Sequence, residues 1–337
     1  MSAGPLVSVL VPAYNAERFI VDAVRSALEQ THTNLEVIVV DDGSRDQTGE
    51  VLKKFGNDPR VLCRRQENGG ASAARNHCYR LAQGQFLQWL DADDLLAPDK
   101  VARQLAIWRQ FGEPENVLFG GSWVSFFKNH KKGQKEQSGL YETETPVDWL
   151  RVKMLTNAWN PPEPWLTHRV LAENAGPWDE RLMRDNDGDY FRRVVAAADR
   201  IHHIPEILSF YRRAVSGSIS SDLNLSPEKL RSLAMSLQRH VQTLRELDDS
   251  ARSLDACAVF LRRWLYFFWP EMEQEFSALR KVLEELGYPD AKATLPGKYQ
   301  RLVPILGWNR SKRLYFGRPR VGTLKSTIKE ALRKERY

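Results

Sequence analysis

The chain has 337 residues, of which 49 are Lys or Arg and 43 are Asp or Glu, so its formal net charge is +6. With 42% hydrophobic residues, the composition excludes a disordered or fibrous protein. The three cysteines lie far apart without C-x-x-C spacing, which excludes a disulfide framework or a cysteine-rich zinc site and favours a reducing compartment.

The two ends of the chain differ in character. The N-terminus lacks a basic segment followed by an apolar core, so we predict no signal peptide. No apolar run approaches the roughly 18 to 20 residues needed to span a bilayer, and we expect a cytoplasmic protein, at most peripheral on the inner face of the membrane. Residues 291–337 hold 13 Lys or Arg against two Glu, a basic tail of the kind that binds anionic lipid surfaces. A solvated tail or packed helices are the alternative, and without a binding motif we predict no nucleic-acid partner.

Strands and helices alternate through the first part of the chain. The predicted strands are short apolar runs that cover residues 7–11, 35–40, 61–66 and 86–90. Helices are predicted from Ala16, with Asn15 as the N-cap, then after Ser44, at residues 71–83 and after Pro98. This alternation indicates an α/β fold with a doubly wound, mostly parallel sheet.

The later part of the chain alternates less regularly. Strands are predicted at residues 117–127 and 201–211, with a flexible basic loop at 128–139. Helices are predicted at 147–155 and 189–198. Beyond Ser226 the sequence becomes helical throughout, which suggests a boundary near residues 222–226.

Polar residues follow several predicted strands at the point where each strand ends, namely Asn15, Asp41, Asp42, Asp91 and Asp93. Because ligands bind at the carboxyl ends of parallel strands, we expect these side chains to converge. Asp91, Asp93 and Asp94 place three carboxylates within four positions, which predicts a divalent cation, with a capped helix start as the alternative. No G-x-G-x-x-G follows the first strand and no P-loop motif occurs, which weighs against dinucleotide-dependent dehydrogenases and P-loop NTPases.

Four motifs together resemble the family-2 glycosyltransferases, which are nucleotide-sugar enzymes of the GT-A fold. They occupy residues 9–15, 39–46, 68–76 and 90–94. The resemblance implies a Rossmann-like GT-A domain at 1–222, with a nucleotide-sugar-binding half at 1–112 and an acceptor half at 113–222. A helical appendage at 223–290 and the basic tail at 291–337 would follow.

The resemblance also implies a reaction. An inverting, metal-dependent hexosyltransferase of cell-envelope polysaccharide biosynthesis would transfer a sugar from a nucleotide-diphosphate donor, with a UDP-sugar favoured. The acceptor would be a hydroxyl of a glycan or of a lipid-linked molecule. Mg²⁺ or Mn²⁺ would neutralise the departing diphosphate, and a carboxylate would take the proton of the acceptor hydroxyl.

The donor site implied by the resemblance consists of Pro12, Ala13, Tyr14, Asn15, Glu17, Asp41, Asp42, Gly70, Arg75, Asp91, Ala92, Asp93 and Arg212. Residues 12–15 and Glu17 would line the base and ribose pocket. Asp42, with Asp41 beside it, would hydrogen-bond the base. Asp93 would bind the metal directly, and Asp91 would contact the ribose or a metal-bound water.

The catalytic base and a closing loop are implied further along the chain. The family has an acidic pair, typically Glu-Asp, and the matching dipeptide here is Asn186-Asp187, so Asp187 is the predicted base. Asp185 and Asp189 stay open as alternatives, and Asp187 could also be a surface carboxylate at a helix N-terminus. Arg212 belongs to a Tyr-Arg segment that would close over the diphosphate together with Ser216, Ser218 and Ser220, or would form a strand end with solvated arginines.

Other functional hypotheses remain open from the sequence. Asn186 in place of Glu also fits a catalytically inactive sugar-nucleotide or membrane-surface binding protein. A D-x-D after a strand also occurs in the haloacid-dehalogenase phosphatases, in which Asp91 would be the nucleophile. Trp159 and Trp165 would either stack on an acceptor sugar or belong to the core, and His168 would be either a ligand or structural.

Overall fold

The computed structural model describes residues 4–213 and 226–317, so Ser216, Ser218, Ser220 and the end of the basic tail lie outside it. The strands within these ranges are β1 (Val7–Ala13), β2 (Leu35–Asp41), β3 (Val61–Arg65), β4 (Phe86–Trp89), β5 (Leu95–Leu96), β6 (Val117–Phe126), β7 (Gln134–Lys135), β8 (Thr167–His168) and β9 (Arg200–Arg212). The helices are α1 (Ile20–Leu28), α2 (Thr48–Leu52), α3 (Ala71–Leu81), α4 (Lys100–Gln110), α5 (Pro146–Thr156), α6 (Arg169–Ala175), α7 (Asn186–Ala197), α8 (Pro227–Leu247), α9 (Ala251–Phe268), α10 (Glu273–Glu285), α11 (Lys298–Leu306) and α12 (Trp308–Phe316).

The first sheet has the strand order β3-β2-β1-β4-β8. β1 pairs in parallel with both β2 and β4, so Ala13 lies opposite Asp41, and Leu10 lies opposite Trp89. The carboxyl ends of these strands therefore meet at one edge of the sheet. The edge strand β8 is antiparallel to β4. The predicted α/β fold with a mostly parallel, Rossmann-like sheet is confirmed.

The second sheet has the strand order β5-β9-β6-β7. β6 and β9 are parallel, and the short strands β5 and β7 pair with them in antiparallel orientation. β5 directly follows the acidic segment 91–94, and its Leu95 lies opposite Phe210, so the end of β9 reaches that segment. β7 lies within residues 128–139, where a flexible loop was predicted. That prediction is wrong for residues 134–135, because their backbone pairs with β6.

The helix after β1 buries the predicted apolar stripe. Its fully buried residues are Ile20, Ala23, Val24 and Ala27. They follow the spacing of one helix face. The predicted helix start is wrong, because α1 begins at Ile20 and Asn15 does not cap it. Asn15 adopts a positive φ of 49°, and its side-chain oxygen accepts a hydrogen bond from the Arg45 N–H at 2.8 Å.

Contacts divide the described residues into two compact units, residues 4–213 with 226–260, and residues 261–317. The predicted limits at 222 and 290 do not coincide with this division. α8 belongs to the first unit because its side chains bond to the segment around α7. Ser236 donates a hydrogen bond to Asp185 at 2.6 Å, and Arg192 donates one to Thr243.

The second unit contains α10, α11 and α12. Lys312 of α12 is buried, forms an ion pair with Glu271 and donates a hydrogen bond to the Trp269 carbonyl at 2.5 Å. The hydroxyl groups of Tyr266 and Tyr315 lie 3.1 Å apart. Among the residues that the structure describes, no helix is both long enough and apolar enough to cross a membrane.

Candidate active site

The acidic segment forms a tight turn between β4 and β5. The Asp94 N–H donates to the Asp91 carbonyl at 3.0 Å, and the buried Asp94 carboxylate accepts a hydrogen bond from the Arg212 N–H at 2.6 Å. The Arg212 side chain in turn donates to the Asp93 carbonyl at 2.7 Å. Arg212, more than a hundred positions later in the chain, therefore lies at the acidic turn, because β9 pairs with β5.

The guanidinium of Arg212 is held between two aromatic rings. Its central carbon lies 4.7 Å from the centroid of Phe19 and 4.6 Å from that of Phe126. Stacking of this kind restricts the side chain while it leaves the charge in place. Arg212 is thus an ordered cation beside the acidic turn rather than a freely solvated one.

A second arginine, Arg75, joins the acidic turn to the predicted base. Its side chain on α3 is only 5% exposed, lies 2.7 Å from Asp91 and 3.2 Å from Asp187, and stacks on Trp178 at 4.4 Å. Burial alone would lower the pKa of Arg75, but the charges of Asp187 and Asp91 outweigh burial and raise it. The sequence grouped Arg75 with the donor site, and it also reaches the catalytic carboxylate candidate.

The three candidate bases have different surroundings. Asp189 is buried and bonded to Arg192 at 2.7 Å, with Arg193 at 3.2 Å, and these cations lower its pKa although burial opposes them. Asp185 accepts a hydrogen bond from Ser236 of α8. Asp187 is 39% exposed, and partial burial raises its pKa to about 6 although Arg75 opposes the shift. Asp187 therefore has the access and the proton affinity that suit a base, while Asp189 is committed to an arginine cluster.

Glu163 is a site residue that the sequence interpretation missed. It lies between two prolines before β8, is 1% exposed, and accepts a hydrogen bond from the Asp91 N–H at 3.4 Å. Asp91, Asp94 and Glu163 each offer an oxygen, and these oxygens lie within 4.8 Å of one another. An acidic residue between prolines and tryptophans was the available signal, because a lone carboxylate in an apolar segment needs a partner.

Burial and the crowding of negative charge raise the proton affinity of these carboxyl groups. Burial and the charge of Asp91 raise the pKa of Glu163 to about 8 and that of Asp93 to about 6. Burial and the neighbouring Glu163 raise the pKa of Asp94 as well. A nearby cation would reverse these shifts, because it favours the ionised form of each carboxyl group.

The oxygen atoms present fit a divalent metal ion. Within the described residues, no donor reaches Asp94 Oδ2 or Glu163 Oε2 when all three carboxylates are ionised. Carboxylate oxygens are the ligands preferred by Mg²⁺ and Mn²⁺. Asp93, the predicted direct ligand, does not belong to this close group, although its carbonyl is held by Arg212.

Asp42 organises a neighbouring turn. Its carboxylate is 2% exposed and accepts hydrogen bonds from the N–H groups of Gly69 at 2.9 Å and Gly70 at 2.8 Å, and from the Gln66 amide at 2.8 Å. Asp41 is likewise buried and bonded to the Ser44 N–H and to Arg65. Both carboxylates were predicted to bind the base of the nucleotide. The hydrogen bonds described above do not test this, so these contacts stay predictions.

The segment after β1 is joined to the segment after β2. The Asn15 N–H donates to Ser44 at 2.9 Å, and Glu17 accepts a hydrogen bond from the Gln47 N–H at 2.7 Å. Pro12 and Ala13 end β1, and the Tyr14 ring that follows them is exposed. These hydrogen bonds join the two segments at one edge of the first sheet, and Ala92 lies in the acidic turn that follows β4.

Residues 8–160 match the family model described as Glycosyl transferase family 2. The chain carries a glycosyltransferase family 2 domain. An uncharacterised glycosyltransferase of Rickettsia typhi is 34% identical over 209 residues, which are 59% of this chain and 64% of that relative. Hyaluronan synthase of Pasteurella multocida is 47% identical over 330 residues, which cover 91% of this chain but 31% of that relative. The chain therefore spans less than two thirds of either of these family-2 relatives.

Solved structures show the same fold. S. aureus TarS, residues 1–349, in complex with UDP-GlcNAc superimposes with a TM-score of 0.66 and 19% identity, and covers 92% of this chain and 90% of its own. A mannosyltransferase of Pyrobaculum calidifontis in complex with GDP-Man and Mn²⁺ gives a TM-score of 0.51 at 18% identity. The family-2 assignment thus agrees with the GT-A fold that was predicted.

Two residues whose role the sequence left open are buried among aromatic rings. His168 packs its ring edge-on to Phe86 at 5.1 Å, and its Nδ1 accepts a hydrogen bond from the Val170 N–H. Trp165 is buried and stacks on Phe191. Trp159, in contrast, stays 47% exposed.

Proposed function

We propose that the protein is an inverting, metal-dependent glycosyltransferase that transfers a sugar from a nucleotide-diphosphate donor to an acceptor hydroxyl, with Asp187 as the general base. The observation that carries the proposal is the buried Arg75, which contacts both Asp91 of the D-x-D and Asp187. A donor-binding carboxylate and a proton acceptor thereby share one site. Family membership argues against the phosphatase hypothesis.

The chain's own residues account for the proton transfer. As the acceptor oxygen bonds to the anomeric carbon and the bond to the diphosphate breaks, the hydroxyl proton passes to Asp187. A positioned base of this kind contributes roughly 10² to 10⁴ in rate. Arg75 holds the Asp187 carboxylate in place, and no second nucleophile is needed for a single displacement with inversion.

The donor would be bound by the two groups of residues already described. A UDP-sugar is favoured because the fold matches TarS, whose structure contains UDP-GlcNAc, although the mannosyltransferase neighbour was solved with GDP-Man. The similarity to hyaluronan and chondroitin synthases supports a role in polysaccharide synthesis, with a glycan or lipid-linked acceptor. Arg212 lies at the acidic turn, where its positive charge can approach the diphosphate.

Mg²⁺ or Mn²⁺ would be held by Asp91 with Asp93, as the family resemblance implies, and by Asp94 and Glu163, as their close carboxylate oxygens suggest. When bound, such an ion neutralises the charge of the departing diphosphate. Such an ion is usually bound through one or two carboxylates together with substrate phosphates and water, so mutation of each of the four carboxylates can show which of them bind it.

Metal removal tests this proposal. After treatment with EDTA, UDP-sugars should no longer raise the melting temperature and transfer should stop, and Mn²⁺ should restore both. Electron paramagnetic resonance of Mn²⁺ should show weaker binding in Asp91→Asn, Asp94→Asn and Glu163→Gln than in Glu173→Gln, an exposed control. Full transfer in EDTA would contradict metal dependence.

A second candidate function is a sugar-nucleotide binding protein without catalytic activity. It is motivated by Asn186, which stands where the family typically has Glu. This protein would bind UDP-sugars in the presence of Mn²⁺ and would release no UDP with any acceptor or with water. Turnover that depends on Asp187 would exclude it.

An anionic membrane surface is a further proposed partner. Residues 291–317 contain six Lys or Arg and no Asp or Glu. On α11 and α12 the cations Lys298, Arg301, Arg310 and Arg313 are exposed. They accompany the apolar side chain of Ile305, which is 77% exposed. Cations beside exposed apolar side chains favour binding at the surface of an anionic bilayer.

A further inference from the structure

Three aromatic side chains from different parts of the first unit form one cluster, which we call the aromatic platform. Trp123 lies on β6, Tyr211 on β9 and Trp159 in the segment after α5, and their ring centroids are 5.2 to 5.7 Å apart. The arrangement is tilted or edge-to-face, as aromatic pairs prefer. Trp123 is buried, and its indole N–H donates to the Asn160 side chain at 3.4 Å.

Trp159 is the exposed member of the platform. Its side chain is 47% exposed, whereas the two rings beside it and Asn160 fix the segment that carries it. A large apolar ring that is held in place and yet faces water is available for a ligand. Trp165, only six positions later, is buried in the core, so exposure is specific to Trp159 and not to the whole segment.

The platform is tied to the acidic turn at two points. Tyr211 directly precedes Arg212, which bonds to Asp93 and Asp94. Trp159 lies four positions before Glu163, which bonds to Asp91. Because successive Cα atoms are 3.8 Å apart, the Cα atom of Trp159 lies within about 15 Å of that of Glu163. Trp159 therefore lies within the length of a short oligosaccharide from the acidic turn.

We propose that Trp159 is an acceptor-binding residue that stacks against a pyranose ring of a glycan acceptor. This inference rests on the proposed function and specifies the acceptor as a carbohydrate chain at this position. The C–H groups on one face of a pyranose ring form an apolar surface that matches the face of an indole. The polar groups of the acceptor would remain in water at the edge of the indole ring.

Steady-state kinetics with matched variants test the proposal. The acceptors are short oligosaccharides of hexoses, N-acetylhexosamines and uronic acids, with a UDP-sugar as donor. In Trp159→Ala the KM for the acceptor should rise about five- to tenfold, and in Trp159→Phe about twofold, because a smaller ring keeps part of the stacking. Phe127→Ala, at a comparably exposed aromatic residue with no described contact to the platform, should leave this KM unchanged.

Donor hydrolysis separates this inference from the proposed function. Release of UDP in the absence of acceptor should be the same in Trp159→Ala as in the unaltered protein, because Trp159 does not bind the donor. A normal acceptor KM in Trp159→Ala, with transfer intact, would overturn the inference and leave the proposed function standing. Absence of donor binding and of hydrolysis in the unaltered protein would instead overturn the proposed function.

A direct binding measurement gives an independent readout. The protein is labelled with 5-fluorotryptophan and observed by fluorine NMR. The resonance of Trp159 is assigned because it is missing in Trp159→Phe. An oligosaccharide that is turned over should shift this resonance and leave that of the buried Trp165 in place. Turnover of that oligosaccharide without a shift at Trp159 would contradict the stacking.

Discussion

Arg75 sets the charge of the candidate site at the scale of a single residue. Asp91 and Asp187 are both acidic and would repel each other at short range, but one buried guanidinium contacts both. Arginine suits this position because its planar group can bond two carboxylates while it stacks on Trp178. The close approach of the Asp91 and Asp187 carboxylates thus depends on a buried cation.

Substitution of the predicted base separates catalysis from stability. Asp187→Asn should reduce transfer by about 10²- to 10⁴-fold with little change in donor affinity, because the amide cannot take the proton. Asp189→Asn should instead lower the free energy of unfolding, because it leaves the buried Arg192 and the partly exposed Arg193 without their carboxylate. UDP release and urea unfolding of both variants measure the two effects, and equal turnover of Asp187→Asn and the unaltered protein would place the base elsewhere.

The pH dependence of transfer follows from the same residue. Burial raises the pKa of Asp187 to about 6, and only its ionised form can accept a proton. The value of kcat/KM should therefore rise as the pH increases through about 6 and should fall below it. Because kcat/KM reports the free enzyme, it should be measured at fixed Mn²⁺ and low donor concentration. A profile that stays flat down to about pH 4, the range of an ordinary carboxyl group, would contradict this assignment.

At the scale of elements, the turn before α3 depends on backbone geometry. Gly70 has a φ of +90°, and its N–H donates to Asp42. A side chain there would meet no atom within 4 Å, so Gly70→Ala tests backbone strain alone. Gly70 combines this φ with a ψ of 169°, a region that only glycine adopts readily, so we expect the free energy of unfolding to fall by roughly 1 to 3 kcal/mol.

Urea unfolding measures this loss, with Gly56→Ala as the matched control. Gly56 has a φ of −62°, which alanine adopts readily, so its substitution should change stability by no more than about 0.5 kcal/mol. Donor affinity should fall only in Gly70→Ala if the turn forms part of the donor site. Equal stability of the two variants would show that the positive φ at Gly70 carries no cost.

The regular elements were predictable from the sequence, and the short ones were not. The four parallel strands β1 to β4 and the helices after them have apolar patterns long enough to recognise, as β1 and α1 illustrate. β5, β7 and β8 contain two residues each, and their pairing is decided by the partner strand rather than by their own sequence. The N-cap prediction for Asn15 failed because the loop after β2 offered its side chain a backbone donor.

The site residues divide in a similar way, into those with a local sequence pattern and those that depend on tertiary contacts. Asp91 and Asp93 were predicted because they follow a strand, and Asp187 because the dipeptide Asn186-Asp187 matches the acidic pair of the family. Glu163 was missed because its importance comes from a tertiary contact with Asp91. Arg75 was assigned to the donor site, but its ion pair with Asp187 joins residues more than a hundred positions apart and has no local signal.

At the scale of the whole molecule, the basic second unit predicts membrane binding. The protein should sediment with phosphatidylglycerol vesicles and not with phosphatidylcholine vesicles, and salt should weaken the binding. Ile305→Asp should reduce it, because the exposed apolar side chain on α11 would no longer enter the bilayer surface. Leu247→Asp, at an exposed leucine in the first unit, is the control. Equal binding to neutral vesicles would contradict the electrostatic part of this proposal.

The hydrogen bond between the Arg212 backbone and Asp94 also has a consequence for biosynthesis. All four motifs leave the ribosome within the first 94 residues, yet the acidic turn obtains this bond only after residue 212 has been synthesised. Glu163 and Asp187 likewise emerge after the motifs they contact. A nascent chain can therefore form its parallel strands early, while the acidic turn that would hold the proposed metal ion is completed late, once the distant strand β9 has docked beside β5.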